Sequence, residues 1–154
     1  MQQMWQIKEM IALAMLGICA YTDIRERNIY IVPLAISAIG ACTISVTAYI
    51  GMSEYRAAGK ICSDLLFPAA SGILIIAVTS LFKKHIGEGD GYMIACLGLI
   101  LGNRYSLYAT AAGCIAMTVY TLMIMARKKR RPGYKVPFAP FVMSGFIAVL
   151  FNEI

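Results

Sequence analysis

Two aspartates stand where apolar runs of this chain meet its connections. Asp23 closes the first long run, in Ala20-Tyr21-Thr22-Asp23-Ile24-Arg25. Asp90 lies in Gly87-Glu88-Gly89-Asp90-Gly91, directly before another apolar run. A carboxylate at the centre of a membrane helix costs about 2.5–3.5 kcal/mol on insertion scales, so an acid at the edge of a span needs a reason. The usual reasons are a partner, a water-filled cavity or catalysis. Two acids at the ends of two different runs suggest one shared site. Two carboxylates can hydrolyse a peptide bond without a metal. One, ionised, draws a proton from water; the other, protonated, donates to the carbonyl oxygen. Held close together they cannot both ionise easily, so such a pair shares a proton.

The elements that must position these acids follow from composition. The 154 residues are 60% hydrophobic and 14% charged, with a mean hydropathy of +0.71. A soluble domain carries about 25% charged residues, so the chain reads as an integral membrane protein with one domain over 1–154. A spanning helix needs about 20 mostly apolar residues. Six stretches qualify, near 4–22, 30–51, 64–82, 89–103, 105–126 and 137–153. Lipid leaves the backbone groups of an open strand unsatisfied, and no alternating pattern is present. The expected fold is all-α, a polytopic bundle of six transmembrane helices. The N-terminus has Lys8 before its apolar stretch, but Glu9 dilutes the basic region and no small-x-small cleavage site follows, so an uncleaved first span is expected. Gly98-Leu99-Ile100-Leu101-Gly102 fits a small-xxx-small packing pattern and suggests that the fourth span is internal. Cys19, Cys42, Cys62, Cys96 and Cys114 form no C-x-x-C pair and read mainly as small hydrophobes.

Basic residues set the orientation. One side carries Arg25, Arg27, Lys83, Lys84, Arg127, Lys128, Lys129, Arg130, Arg131 and Lys135; the other carries Lys8, Arg56, Lys60 and Arg104. This bias puts both termini outside and both aspartates at the cytoplasmic face. The block from Arg127 to Arg131 reads as an anchor facing anionic lipid. No aromatic platform or binding fold accompanies it, so the net charge of +6 does not point to nucleic acid.

The glycines around Asp90 have a mechanical reading. Gly87, Gly89 and Gly91 free the backbone from Cβ constraints, permitting an irregular approach to the fourth span and close contact with a substrate backbone. At this point the residues carry a resemblance. Gly87-Glu88-Gly89-Asp90 resembles the G-x-G-D motif of intramembrane aspartyl proteases. Asp23-Ile24-Arg25-Glu26-Arg27-Asn28-Ile29 resembles the first-aspartate motif of type IV prepilin peptidases, where basic residues and an apolar turn, often Ile-Pro-Asn, follow the Asp. Val136-Pro137-Phe138-Ala139-Pro140-Phe141 is similar to that family's late Pro-Phe-x-Pro-Phe segment.

The resemblance covers nearly the whole chain, with three motifs in order across six predicted spans. It implies an aspartic-type endopeptidase of the inner membrane that cleaves the basic leader of prepilin or pseudopilin precursors at the cytoplasmic face, typically after a glycine. It implies that Asp23 and Asp90 are the catalytic pair and that Gly87 and Gly89 are motif residues. Pro137, Phe138 and Pro140 would shape the entrance of the last helix. No cofactor or metal is implied. One departure is Ile29-Tyr30 where Ile-Pro is common, with the proline appearing later as Pro33. Larger family members carry a cytoplasmic insertion with paired cysteines and methyltransferase activity. This chain resembles the short, peptidase-only branch, and archaeal preflagellin peptidases share the same G-x-G-D logic.

Structural alternatives stand beside these readings. Asp23 has Arg25 and Arg27 within reach as ion-pair partners. Asp90 suits the first turn of a helix, where acids gain about 0.3–1 kcal/mol. Glu26 and Glu88 read as solvated loop acids, or as contacts for a basic leader. His85 is the only histidine, too few for a catalytic zinc, which generally takes three protein ligands. The alternative function classes are a proton-coupled membrane transporter, using the acids as a proton or cation site, and an inactive assembly scaffold.

Overall fold

The computed structural model describes residues 2–49, 59, 66–81, 88–126 and 136–152. Within them lie six helices and no strand: α1 (Gln2–Glu26), α2 (Ile31–Tyr49), α3 (Phe67–Leu81), α4 (Glu88–Leu101), α5 (Asn103–Ala126) and α6 (Ala139–Asn152). Each coincides with one apolar stretch expected from the sequence. The basic segments around Lys83, Lys84, His85 and Arg127 to Arg131, and Gly87 with them, lie outside the described residues.

Proline and glycine set several helix boundaries. Pro33, Pro68 and Pro140 each sit in the first turn of a helix. There a missing N–H removes no intrahelical bond. The shift of the proline from position 30 to Pro33 is thereby accommodated: α2 simply begins at Ile31. Gly102 has φ +82° and its N–H bonds to the Gly98 carbonyl at 2.8 Å, so it ends α4 in a left-handed turn. The Gly98–Gly102 pair is thus not simply a packing stripe. Gly98 is buried in the interior, while Gly102 reverses the chain into α5.

The first connection is tight. Glu26 ends α1, and Arg27 takes φ +53°, the only positive φ outside glycine among the described residues. That conformation costs an ordinary residue about 1–2 kcal/mol. Arg27→Val is therefore expected to melt lower than Arg27→Gly. Both lose the guanidinium, but only valine keeps the strain. Thermal unfolding of the two variants in detergent measures the difference.

α4 is the central helix, packing against α1, α2, α3 and α5, as expected for an internal fourth span. Met93, Leu97, Ile100 and Leu101 enter a core shared with Met15, Leu16 and Cys19 of α1, Leu34 of α2, and Val142 and Phe146 of α6. Small residues permit the close crossings. A Cβ on Gly72 of α3 would sit 3.1 Å from the Ala95 side chain of α4. α5 and α6 approach closer still. A Cβ on Gly113 would lie 2.8 Å from the Val142 Cα, and one on Gly145 would run into the Ala109 carbonyl oxygen. Association of this kind rests on van der Waals contact between backbones.

Much of the outer surface is apolar. Ile36, Ile39, Ile73, Leu74, Leu107, Ile115, Leu122 and Met125 are all exposed. α5, with 24 residues, is long and apolar enough to cross a membrane; Ile31–Thr47, Gly89–Leu101 and Ala139–Phe151 are shorter apolar helices. Hydroxyl groups on these helices bond back to their own carbonyls, as Ser45 does to Ala41 (2.9 Å) and Thr118 to Cys114 (2.7 Å). Such bonds satisfy a polar side chain without water.

Candidate active site

Asp23 lies in the last turn of α1 and is 8% exposed. Burial of a carboxylate demands a donor. The donor is a backbone group 116 residues away: the Ala139 N–H donates to Asp23 Oδ2 at 2.9 Å. Ala139 opens α6 and is itself fully buried. The local sequence explains why this amide is available. The first N–H groups of a helix have no intrahelical acceptor. Pro140 has none to offer, and the Phe141 N–H goes to the Phe138 carbonyl at 3.1 Å. The Val142 N–H goes to the same carbonyl at 3.3 Å. Ala139 is left with a free donor aimed at the carboxylate, at the end of the helix that favours negative charge.

Of the two arginines expected as ion-pair partners of Asp23, Arg25 is engaged on its own helix. Arg25 donates from Nη1 to the Tyr21 hydroxyl at 2.8 Å, one turn back on the exposed face of α1. Glu26 is also exposed, and its Oε2 accepts a hydrogen bond from the Tyr30 hydroxyl.

Asp90 is the third residue of α4 and is half-buried. The backbone from Glu88 to Gly91 is helical, and Gly102 is the only glycine with positive φ among the described residues. The irregular approach expected around Asp90 is thus not found over Glu88 to Gly91. Gly89 instead has a steric role. A Cβ there would lie 2.9 Å from the Ile29 Cβ and 3.6 Å from the Ile29 carbonyl oxygen. The turn after α1 crosses directly over the start of α4, and any side chain at position 89 must displace it. Gly91 is buried on the same helix.

A Gly89→Ala substitution must therefore push Ile29 away. Ile29 is branched at the contacting carbon and cannot yield by rotating a distant atom. Overpacking of this kind costs about 1–3 kcal/mol. The variant is expected to fold with a lowered melting temperature and reduced activity, because the Asp23 segment moves relative to Asp90. An unchanged melting temperature in detergent would contradict this packing.

The three sequence segments are thus joined in space. Ile29, six residues after Asp23, packs on Gly89, one residue before Asp90. Ala139, inside the late proline-phenylalanine segment, holds Asp23 itself. Pro137 and Phe138 are half-buried ahead of α6, with Phe138 against the core; Pro140 is half-buried in its first turn. Nothing in residue type marks Ile29 or Ala139 as a site residue. The contribution of Ala139 is a backbone N–H, which leaves no trace in residue type. Among the described residues, no group of three His, Cys, Asp or Glu side chains is disposed to hold a metal.

Chemically, one oxygen of the Asp23 carboxylate is fixed by a rigid donor, which leaves the other for a water or a neighbouring acid. The second acid, Asp90, is on the helix that packs against α1. Fold and site together define a class: an all-helical, largely apolar chain that gathers two acidic segments at packed helix ends. Within that class, the chain belongs to the type IV leader peptidase family, whose model matches residues 10–122. The match contains both aspartates and ends before the proline-phenylalanine segment. Neither curated proteins nor solved structures gave a match.

Proposed function

We propose that the protein is a membrane aspartic endopeptidase that removes the basic leader of prepilin-like or pseudopilin precursors at the cytoplasmic face. Asp23 and Asp90 are its catalytic pair. Membership of the type IV leader peptidase family supports the reaction class. The observation that carries the site assignment is the junction of three separate segments around Asp23, through the Ala139 N–H and the Ile29–Gly89 contact.

The mechanism is general acid–base activation of water. One carboxylate takes a proton from the attacking water while the other donates to the scissile carbonyl, and the roles reverse as the amine leaves. No covalent intermediate forms. All six helices cross the bilayer in this reading. The exposed apolar faces and the self-bonded hydroxyls support it, since both suit lipid better than water. Several helices are short for a crossing. α4 and α6, at 14 residues each, span about 21 Å against a hydrocarbon core of about 30 Å. Their polar ends then sit in locally thinned or water-filled surroundings, which suits hydrolysis near the membrane edge.

The test is cleavage of a co-expressed panel of prepilin-type precursors, read by the mobility shift on leader loss. Processing of at least one member, at a glycine before the apolar segment, is the expected result. No processing of any member, together with solute flux in vesicles, would instead support the transporter reading. In this reading Glu26, exposed three residues after Asp23, attracts a basic leader, with Glu88 at the start of α4 as a second candidate. Glu26→Lys is expected to raise KM more for highly basic leaders than for neutral ones. Equal effects on both would remove Glu26 from substrate capture.

A further inference from the structure

We propose that the first turn of α6 is a positioning element for the Asp23 carboxylate, with the Ala139 backbone N–H as the positioning donor. The proposal rests on the leader-peptidase reading and adds a working part to it. Asp23 would otherwise depend on its own side-chain torsions for orientation. The Ala139 N–H fixes Oδ2 at 2.9 Å from a buried backbone atom. A backbone donor has no rotamers, so the constraint is as stiff as the helix that carries it.

The surrounding residues fit this task. Pro140 and the bonded Phe141 N–H leave Ala139 as the open donor of the turn. Phe138 supplies the carbonyl that begins the helix, and its side chain packs on the core. Val142 and Phe146, both fully buried, anchor the same face of α6 behind Ala139. Gly113 and Gly145 lock α6 to α5 at backbone contact, so the donor is braced from outside the dyad. The segment read from sequence as shaping the last helix thus has a definite object, one oxygen of Asp23.

The decisive comparison is Ala139→Pro beside Ala139→Gly. Proline at the first helical position removes the N–H without breaking an intrahelical bond, whereas glycine keeps the N–H and removes the side chain. Leader cleavage by Ala139→Pro is expected to lose roughly 100-fold in kcat with KM near wild type, as misplacement of a reacting group does. Ala139→Gly should stay within a few-fold of wild type. Ala139→Pro working at the wild-type rate, or both variants failing alike, would overturn the proposal.

A second measurement does not depend on turnover. In alanine-labelled protein in lipid discs, the Ala139 amide proton, assigned by its loss in Ala139→Gly, should move upfield in Asp23→Leu and hold its place in Asp90→Leu. A resonance indifferent to Asp23→Leu would overturn the contact even if Ala139→Pro fails to accumulate. An active wild type that loses cleavage in Asp23→Asn but not in Ala139→Pro defeats the positioning role alone. A wild type that cleaves no leader defeats the reading beneath it, while the amide shift still judges the contact.

Discussion

Asp23→Asn and Asp90→Asn are each expected to abolish leader cleavage, by about 10²–10⁴-fold or more, while the protein still accumulates in the membrane. Asparagine keeps the size of aspartate and removes the titrating proton. At position 23 it also keeps an oxygen that can accept the Ala139 N–H, so the junction of α1 with α6 survives. The loss therefore reports chemistry and not folding. Asp23→Ala makes a useful contrast, because it removes the acceptor as well. It should lose activity to the same degree and also cost about 0.5–2 kcal/mol of stability, the scale of a deleted helix cap. Single-turnover cleavage and thermal unfolding, measured on the three variants together, separate the two effects. Cleavage that survives either asparagine variant at normal membrane levels would refute the dyad.

The largest structural effect is expected from Gly145→Ala. The added methyl would meet the Ala109 carbonyl oxygen and lie 2.6 Å from the Gly113 nitrogen. Both are backbone atoms of α5, and neither can turn aside. The helices must separate, at about 1–3 kcal/mol for overpacking and more if backbone contact is lost along the crossing. The displacement also reaches the site. Ala139 is six residues from Gly145 on the same helix, about 9 Å along its axis. Gly145→Ala is thus expected to lose both stability and cleavage, although it touches neither aspartate. Gly17→Ala and Gly40→Ala are the matched controls. Both positions are helical and open to space, so alanine there should be neutral or stabilising by about 0.5–1 kcal/mol. If Gly145→Ala melts with the controls, the close crossing of α5 and α6 is wrong.

In the proposed mechanism the carboxylate at position 23 acts through the oxygen that Ala139 does not hold. The other oxygen is tied to a helix whose place is set by glycines far from the reacting atoms. Stability and activity should therefore fall together in variants of the α5–α6 crossing and separately in variants of the dyad.

The helices and the two acids are legible in the residues alone. Six apolar stretches of suitable length, ended by prolines, glycines and charges, leave little choice but six helices, because apolar length and backbone hydrogen bonding are local properties. Asp23 and Asp90 were equally legible, since an acid at the edge of an apolar run is costly and so stands out. The motif around Gly89 was legible as a glycine requirement, but its cause was not. The expected irregular backbone is a regular helix there, and the requirement comes from Ile29, sixty residues earlier, lying across it. Gly102 fits a packing pattern in the sequence, but its positive φ shows that it also turns the chain. Which donor holds Asp23 depends on the packing of distant segments. A backbone N–H is the same in every residue but proline, so no side-chain pattern could single out Ala139. Its selection arises when the start of α6 is brought against the end of α1, a contact that forms between segments more than a hundred residues apart.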